Sequence, residues 1–85
     1  MTLGELKNAL GDNKTAKYPI SAAELYNIQM YVNPSLEMDR GTLDYYYSID
    51  VNELLASDMP VDDLEDLKKQ GWSLTQNDKD LILYI

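Results

Sequence analysis

Carboxylates and tyrosine phenols are the side chains of this chain that could do chemistry. The 85 residues include 15 aspartates and glutamates and seven tyrosines, but no histidine and no cysteine, so the most common general base and the most reactive nucleophile are missing. Neither a glycine-rich phosphate loop nor a serine-nucleophile motif is present. Two carboxylates such as Asp44 and Asp50 could exchange protons across a cleft, but no spacing singles out a pair. The sequence therefore predicts a protein without enzymatic activity and without catalytic residues.

The acid-rich stretch 62–66 is the strongest sequence candidate for a cation site, because hard cations prefer oxygen ligands. It lacks the glycine and the twelfth-position glutamate of a calcium-binding EF-hand loop. Acids in the first turn of a helix interact favourably with the helix dipole, and this explains the stretch without a metal. The polar stretch 76–80 is explained more simply as a hairpin turn. Neither a metal nor a cofactor is predicted.

The net charge of −8 is concentrated in the middle of the chain. Residues 37–66 carry ten acids against Arg40 alone, whereas the segments on either side are close to neutral. Such a charge repels nucleic-acid phosphates and anionic lipids, so direct binding to nucleic acid or to a membrane is not expected. A protein partner with a basic surface is favoured, and the carboxylates could imitate a phosphate backbone for it. The alternative is that the acids only keep the protein in solution.

A strand with two unlike faces is the element that positions the aromatic residues of the candidate site. Apolar and polar residues alternate over 43–51, which is typical of a strand with one buried and one open face. The residues predicted to face the core are Leu43, Tyr45, Tyr47, Ile49 and Val51. Tyr46 is predicted on the opposite face, with Asp44 and Asp50 beside it. That face would join Ile82 and Tyr84 of a C-terminal strand, unless the N-terminal helices cover it.

Three helices are predicted from their end signals. Leucines at helical spacing lie between Thr2 and Gly11, and a capping box of Ser21 and Glu24 begins a helix that runs to about Tyr31. The third helix, 60–70, has Pro60 at its first position, acids in its first turn and lysines in its last. Gly71 follows it, and Trp72 is predicted to fold back on the last turn. Residues 12–17 are predicted to form a loop, and residues 52–56 one helical turn.

A β-hairpin is predicted at the end of the chain, with strands 72–75 and 80–85 joined by the polar turn 76–79. The predicted core residues of this region are Leu64, Leu67, Trp72, Leu74, Leu81, Leu83 and Ile85. Residues 35–39 fit either a short strand or a loop. The fold class is therefore α+β, a small antiparallel sheet of three to four strands on two or three helices, in the order α-α-(β)-β-α-β-β. A single compact domain over residues 1–85 is expected.

The sequence predicts a cytoplasmic protein. It has no cysteine for disulfides, its first residues lack a basic and apolar leader pattern, and no apolar run approaches the ~18 residues that span a bilayer. If a phage encodes the protein, the compartment would be the host cytoplasm. The oligomeric state is left open.

The predicted function is binding without catalysis: an acidic inhibitor or regulator, and possible nucleic-acid mimic, of a basic protein complex that handles nucleic acid. Tyrosine suits such a surface because it combines a large apolar ring with a polar tip. The predicted partner-binding residues are Asp44, Tyr46, Asp50, Asp62, Asp63, Asp66, Ile82 and Tyr84. One alternative is a structural or decoration subunit of a larger assembly such as a phage virion. A second is a small carboxylate-dependent enzyme.

Overall fold

The helices and strands follow the predicted order. A computed structural model describes residues 1–11 and 17–85, so the loop predicted for 12–17 lies, except for Lys17, outside the described residues. The elements are α1 (Leu3–Leu10), α2 (Ala22–Gln29), β1 (Ser35–Met38), β2 (Tyr45–Asp50), α3 (Val51–Ala56), α4 (Leu64–Gln70), β3 (Ser73–Leu74) and β4 (Asp80–Tyr84). A short 3₁₀ turn, Val61–Asp63, leads into α4. The α+β class and the element order are confirmed, and residues 35–38 form a strand.

Capping boxes begin the first two helices. The Thr2 hydroxyl accepts from the Glu5 amide at 3.2 Å, and the Glu5 carboxylate accepts from the Thr2 amide at 3.0 Å. Ser21 and Glu24 exchange the same two hydrogen bonds, both 3.1 Å long. Each pair satisfies two backbone donors that a helix start would otherwise leave unpaired. The predicted start at Ser21 is confirmed, although α2 ends at Gln29, short of Tyr31.

The end of α4 forms the predicted glycine-terminated motif. Gly71 is left-handed, with φ of 92°, and its amide donates to the Lys68 carbonyl at 3.0 Å. The Trp72 amide donates to the Leu67 carbonyl at 3.1 Å, so the chain folds back and buries the indole completely. At the other end, Pro60 is extended, with ψ of 144°, and therefore precedes the 3₁₀ turn instead of occupying the first helical position.

The four strands of the sheet pair antiparallel, in the order β1-β2-β4-β3. The central pair is β2 and β4, in which Tyr46 lies opposite Tyr84 and Ile49 opposite Leu81. β1 is an edge strand, paired only with β2. On the other edge, the short β3 pairs with β4, and Lys17 adds an isolated parallel bridge to Tyr84.

The described helices pack on one face of this sheet and form one core with it. Fully or almost fully buried are Leu6, Leu10, Ile28, Val32, Ile49, Val51, Leu54, Met59, Leu64, Leu67, Trp72, Leu81 and Leu83. Burial of Leu64, Leu67, Trp72, Leu81 and Leu83 confirms the predicted core, and Leu74 packs against it partly buried. We call the side of the sheet toward the helices the covered face, and the opposite side the open face.

Three residues predicted for the core are instead exposed. Leu43 is 70% exposed, Tyr45 52% and Ile85 39%. Leu43 is not in the strand: it lies in the turn before β2 with φ of 60°. Tyr45 and Ile85 do point to the covered face, but the helices do not extend over this end of the sheet. Val51 is buried as predicted, yet it begins α3 because the Asp50 side chain caps that helix.

Candidate functional site

The open face is a shallow hollow that no described helix covers. It is formed by Tyr46 and Ser48 of β2 and by Ile82 and Tyr84 of β4, all half-buried. The hollow has a volume of about 370 Å³, and its lining also includes Asp80. The core side chains, among them Ile49, Leu81 and Leu83, point the other way. The strand alternation thus brings together Tyr46, Ile82 and Tyr84 as predicted.

A pair of tyrosines forms the centre of the open face. The rings of Tyr46 and Tyr84 lie 5.3 Å apart at an interplanar angle of 39°. The Tyr84 hydroxyl donates to Asp39 Oδ2 at 2.7 Å, while Asp39 Oδ1 accepts from the Gly41 amide at 2.9 Å. This contact raises the pKa of Tyr84, because loss of its proton would place a phenolate beside a carboxylate, and it lowers the pKa of Asp39. The Tyr84 ring is therefore held in one orientation, with its hydroxyl protonated.

Asp39 is a residue of this surface that the sequence argument missed. Its position before Arg40-Gly41 is typical of an aspartate whose side chain closes a turn on a nearby amide. That local signal predicts the bond to Gly41 but gives no indication of Tyr84, which lies 45 residues further along the chain. The contact exists because β4 pairs with β2 at a register that places Tyr84 beside the turn.

Carboxylates surround the tyrosine pair. Asp44, next to the turn, pairs with Lys17 at 2.9 Å, and this hydrogen bond lowers the pKa of Asp44. Glu37 of β1 lies opposite Tyr46 on the same face. Asp50 and Asp80 lie opposite each other at the far end of β2 and β4. Asp50 is also committed to structure, since its carboxylate accepts from the Glu53 amide at 3.2 Å.

The other three predicted acids lie elsewhere, in the helical layer. Asp62 is exposed on the 3₁₀ turn, whereas Asp63 and Asp66 line a groove between α2 and α4 with a volume of about 430 Å³. We call it the helix groove. Because α4 packs on the covered face through Leu64 and Leu67, these acids cannot border the hollow of the open face. The structure thus divides the predicted binding residues between two surfaces.

The helix groove combines an apolar floor with acidic walls. Ile28, Met59 and Leu67 contribute apolar side chains, and the described residues that line it include no lysine or arginine. Glu24 is the third acid of its lining, beside Asp63 and Asp66. The groove is not predictable from the sequence, because nothing in the spacing of these residues shows that α2 lies beside α4.

Glu24 is held by a chain of hydrogen bonds that reaches the core. Its Oε2 accepts from the Tyr18 hydroxyl at 2.9 Å and from Gln70 Nε2 at 3.2 Å, while Gln70 Oε1 accepts from the Trp72 indole at 2.9 Å. The bonds from Ser21, and then those from Tyr18 and Gln70, lower the pKa of Glu24. The bond to Glu24 correspondingly raises the pKa of Tyr18. These contacts give Glu24 a structural role.

Few of the acids are neutralised within the part of the chain that the structure describes. Across residues 1–11 and 17–85 the salt bridges are Lys7–Asp78 at 2.7 Å and Lys17–Asp44 at 2.9 Å. Of the ten acids in segment 37–66, Asp44 is thus the one with a cationic partner in the described part of the chain. The same residues contain no group of three or more acids placed to hold a metal ion. The surface can therefore attract cationic groups of another molecule.

Comparison with known proteins finds no match for this chain. The chain matches no protein-family model, no curated protein and no solved structure. None of the helices described here is long and apolar enough to cross a bilayer.

Proposed function

We propose that this protein binds a basic surface of another protein through its open face. The observation that supports this proposal best is the hollow built around Tyr46 and Tyr84, which is left uncovered by the helices and bordered by carboxylates. An aromatic patch of this kind contributes packed contact area, and tyrosine is enriched among the residues that dominate binding energy. The bond between Tyr84 and Asp39 fixes one ring before binding, which reduces the entropy lost on association.

Electrostatic attraction to a basic partner is the second argument for this proposal. With a net charge of −8, the protein attracts a basic partner over several ångströms and accelerates the encounter. Glu37 and Asp80 lie on the open face itself, where they can pair with lysine or arginine. Arg40 also lines the hollow, and a correct partner would place an acceptor near it. The acids attract the partner as it approaches, and the tyrosines pack against it once contact is made.

Within this proposal, the partner is a protein that normally handles nucleic acid, and the protein acts as its inhibitor or regulator in the cytoplasm. The carboxylates would take the place of phosphates on the basic surface of that partner. Supporting this is the concentration of ten acids in residues 37–66, where a protein needing only solubility could spread them evenly. A purely structural subunit would instead rely on apolar contacts.

Salt dependence and a matched pair of variants test the proposal. Glu37→Gln with Asp80→Asn removes two charges from the open face, and Asp62→Asn with Glu65→Gln removes two from the exposed helical layer. Partners are captured from native extract on each immobilised protein at about 0.1 M and 1 M salt, where the Debye length falls from ~10 Å to ~3 Å. We expect one basic protein to be retained at low salt by the wild type and by the helical variant, and lost by the open-face variant.

Two results would contradict the proposal. Equal loss in both variants would mean that net charge alone drives retention, without a role for the open face. Retention that survives 1 M salt and both variants would point to an apolar contact, as expected for a structural subunit of an assembly.

A further inference from the structure

The outer edge of β1 has backbone groups without partners. The Asp39 amide donates to the Asp44 carbonyl at 2.7 Å, one residue beyond the pairing of Met38 with Tyr45. In an antiparallel ladder, hydrogen-bonded and non-hydrogen-bonded pairs alternate. Glu37 therefore bonds toward β2, whereas the amides and carbonyls of Leu36 and Met38 point away from the sheet. No residue of the described chain pairs with them.

This edge lacks most of the features that prevent strand addition. Exposed edges are typically protected by shortness, by charged side chains (especially lysine), by proline, by a bulge or by a covering element. Ser35–Met38 is short and carries the charge of Glu37, but it has no lysine, internal proline or bulge, its four residues pair with β2 without interruption, and every one of them is exposed. The nearest proline, Pro34, precedes the strand. A further strand could bond to β1 without any rearrangement of the sheet.

The two sides of the edge differ in chemistry. By their pairing with Tyr47 and Tyr45, Leu36 and Met38 belong to the covered face, where they are 55% and 46% exposed, and Met38 at the end of the strand also borders the hollow. Met38 continues into a row with Tyr45 and Ile85. This apolar row is exposed. On the open face, Glu37 extends toward solvent beside Tyr46. A strand added here would meet apolar side chains on one side and a carboxylate on the other.

We propose that β1 binds an extended segment of a basic protein, which adds to the sheet as an antiparallel fifth strand. Its apolar side chains would face Leu36 and Met38, and its alternate residues, lysine or arginine, would face Glu37 and the open face. The inference rests on the proposed function and specifies the chemistry of the partner. Antiparallel pairing matches the rest of the sheet and is slightly more stable per residue than parallel pairing.

Charge selects a basic partner over a second copy of the chain. Two copies, each with a net charge of −8, would repel each other. Joining two β1 edges around a twofold axis would also place both Glu37 carboxylates on the same face of one sheet, where like charges destabilise pairing. A lysine or arginine opposite Glu37 has the reverse effect.

A short acetylated and amidated peptide that alternates lysine and valine is the probe. Titration of the isotope-labelled protein, followed by amide NMR, should shift the signals of Leu36 and Met38 most. A peptide with glutamate in place of lysine should not bind, and one with the same residues in two blocks should bind at least about tenfold more weakly, a difference of ~1.4 kcal/mol. Weak binding that is equal for alternating and block peptides would overturn the inference.

Backbone methylation tests the geometry directly. In antiparallel pairing, the peptide residues opposite Leu36 and Met38 point their backbone groups toward β1 and their side chains to the same face as Leu36 and Met38. These residues are the valines, so the valine amides donate the new hydrogen bonds. Methylating the valine nitrogens should abolish binding, whereas methylating the lysine nitrogens should leave it nearly unchanged. Loss of binding on methylation of the lysine nitrogens, but not of the valine nitrogens, would indicate parallel pairing. Binding that survives both methylations would indicate that no strand is added. Both would overturn the inference as stated.

Two variants complete the test. Glu37→Lys should weaken the lysine–valine peptide at least about tenfold, whereas Glu65→Lys, the same charge change on exposed α4, should weaken it far less. Leu36→Pro removes an outward backbone donor that the fold does not use, and it should also weaken binding of the peptide.

If the peptide shifts the amide signals of Tyr46, Ile82 and Tyr84 only, strand addition at β1 is refuted while the proposed function of the open face stands. A dimer that sedimentation detects and Leu36→Pro dissolves would replace the inference with self-association.

Discussion

The two faces of β2 and β4 show how one pair of strands can serve two purposes. Ile49, Leu81 and Leu83 on the covered face have no exposed surface, whereas Tyr46 and Tyr84, at alternate positions of the same two strands, line a hollow. Because successive side chains point to opposite faces, stability and recognition are assigned to alternate residues. The open face can therefore change its chemistry with little cost to the core.

The largest expected effect comes from neighbouring substitutions on β4. Leu81→Ala should lower the free energy of unfolding by about 2–5 kcal/mol, because it leaves a cavity in a fully buried site. Ile82→Ala, one residue away on the open face, should cost clearly less. Urea denaturation followed by circular dichroism measures both. Equal losses would show that the open face is as much a part of the core as the covered face.

Tyr46→Ala should produce the opposite pattern. We expect faster dissociation of the captured partner, by a factor that corresponds to about 2 kcal/mol, with a much smaller change in stability than Leu81→Ala. Tyr26→Ala, which removes a tyrosine that is 66% exposed on α2, is the matched control and should leave dissociation unchanged. Surface plasmon resonance gives both rates. An unaltered dissociation rate in Tyr46→Ala would remove the open face from the interface.

Stability should fall at both extremes of pH through two tyrosine–carboxylate contacts, one in each layer. The pKa values of Asp39 and Glu24 are lowered, so their contributions are present above the unfolded values and are lost as pH falls through the folded ones. The pKa values of Tyr84 and Tyr18 are raised, so their contributions are lost as pH rises through the raised values.

Tyr84→Phe and Tyr18→Phe separate these two contacts. Tyr84→Phe should flatten the pH dependence of the unfolding free energy on the acid and the alkaline side, as measured by denaturation across the pH range. Tyr18→Phe should flatten it mainly on the alkaline side, because the bonds from Ser21, which lower the pKa of Glu24 most, remain. Tyr84→Phe should in addition weaken partner binding, whereas Tyr18→Phe should not. A variant whose pH dependence matches the wild type would show that its hydrogen bond does not persist in solution.

The smallest effect should come from Leu43→Gly, at the uncovered end of the sheet. Leu43 has φ of 60° and is 70% exposed, so it carries backbone strain and little packing. Glycine adopts this conformation without a Cβ clash, and we expect a gain of up to ~1 kcal/mol. Thermal denaturation checks it. A loss instead would show that the Leu43 side chain packs against its neighbours.

Local rules in the sequence predicted the parts of the fold that depend on neighbouring residues. The capping box at Ser21, the Gly71 ending and the alternation that places Tyr46 opposite the core are all of this kind. Alternation shows which side of a strand a residue occupies, but not whether a helix covers that side, and this is why Tyr45 was misplaced. Nor do charge counts show where helices dock, so Asp62, Asp63 and Asp66 were assigned to a surface they do not share.

The bond between Trp72 and Gln70 gives the protein a built-in spectroscopic probe. Trp72 is the single tryptophan, it is fully buried, and its indole nitrogen has an acceptor at 2.9 Å. An indole shielded from water emits at shorter wavelength than one in solvent, so unfolding should shift its fluorescence to the red. Docking on the open face leaves the indole in the same surroundings. Fluorescence can therefore follow folding while binding proceeds, without an added label.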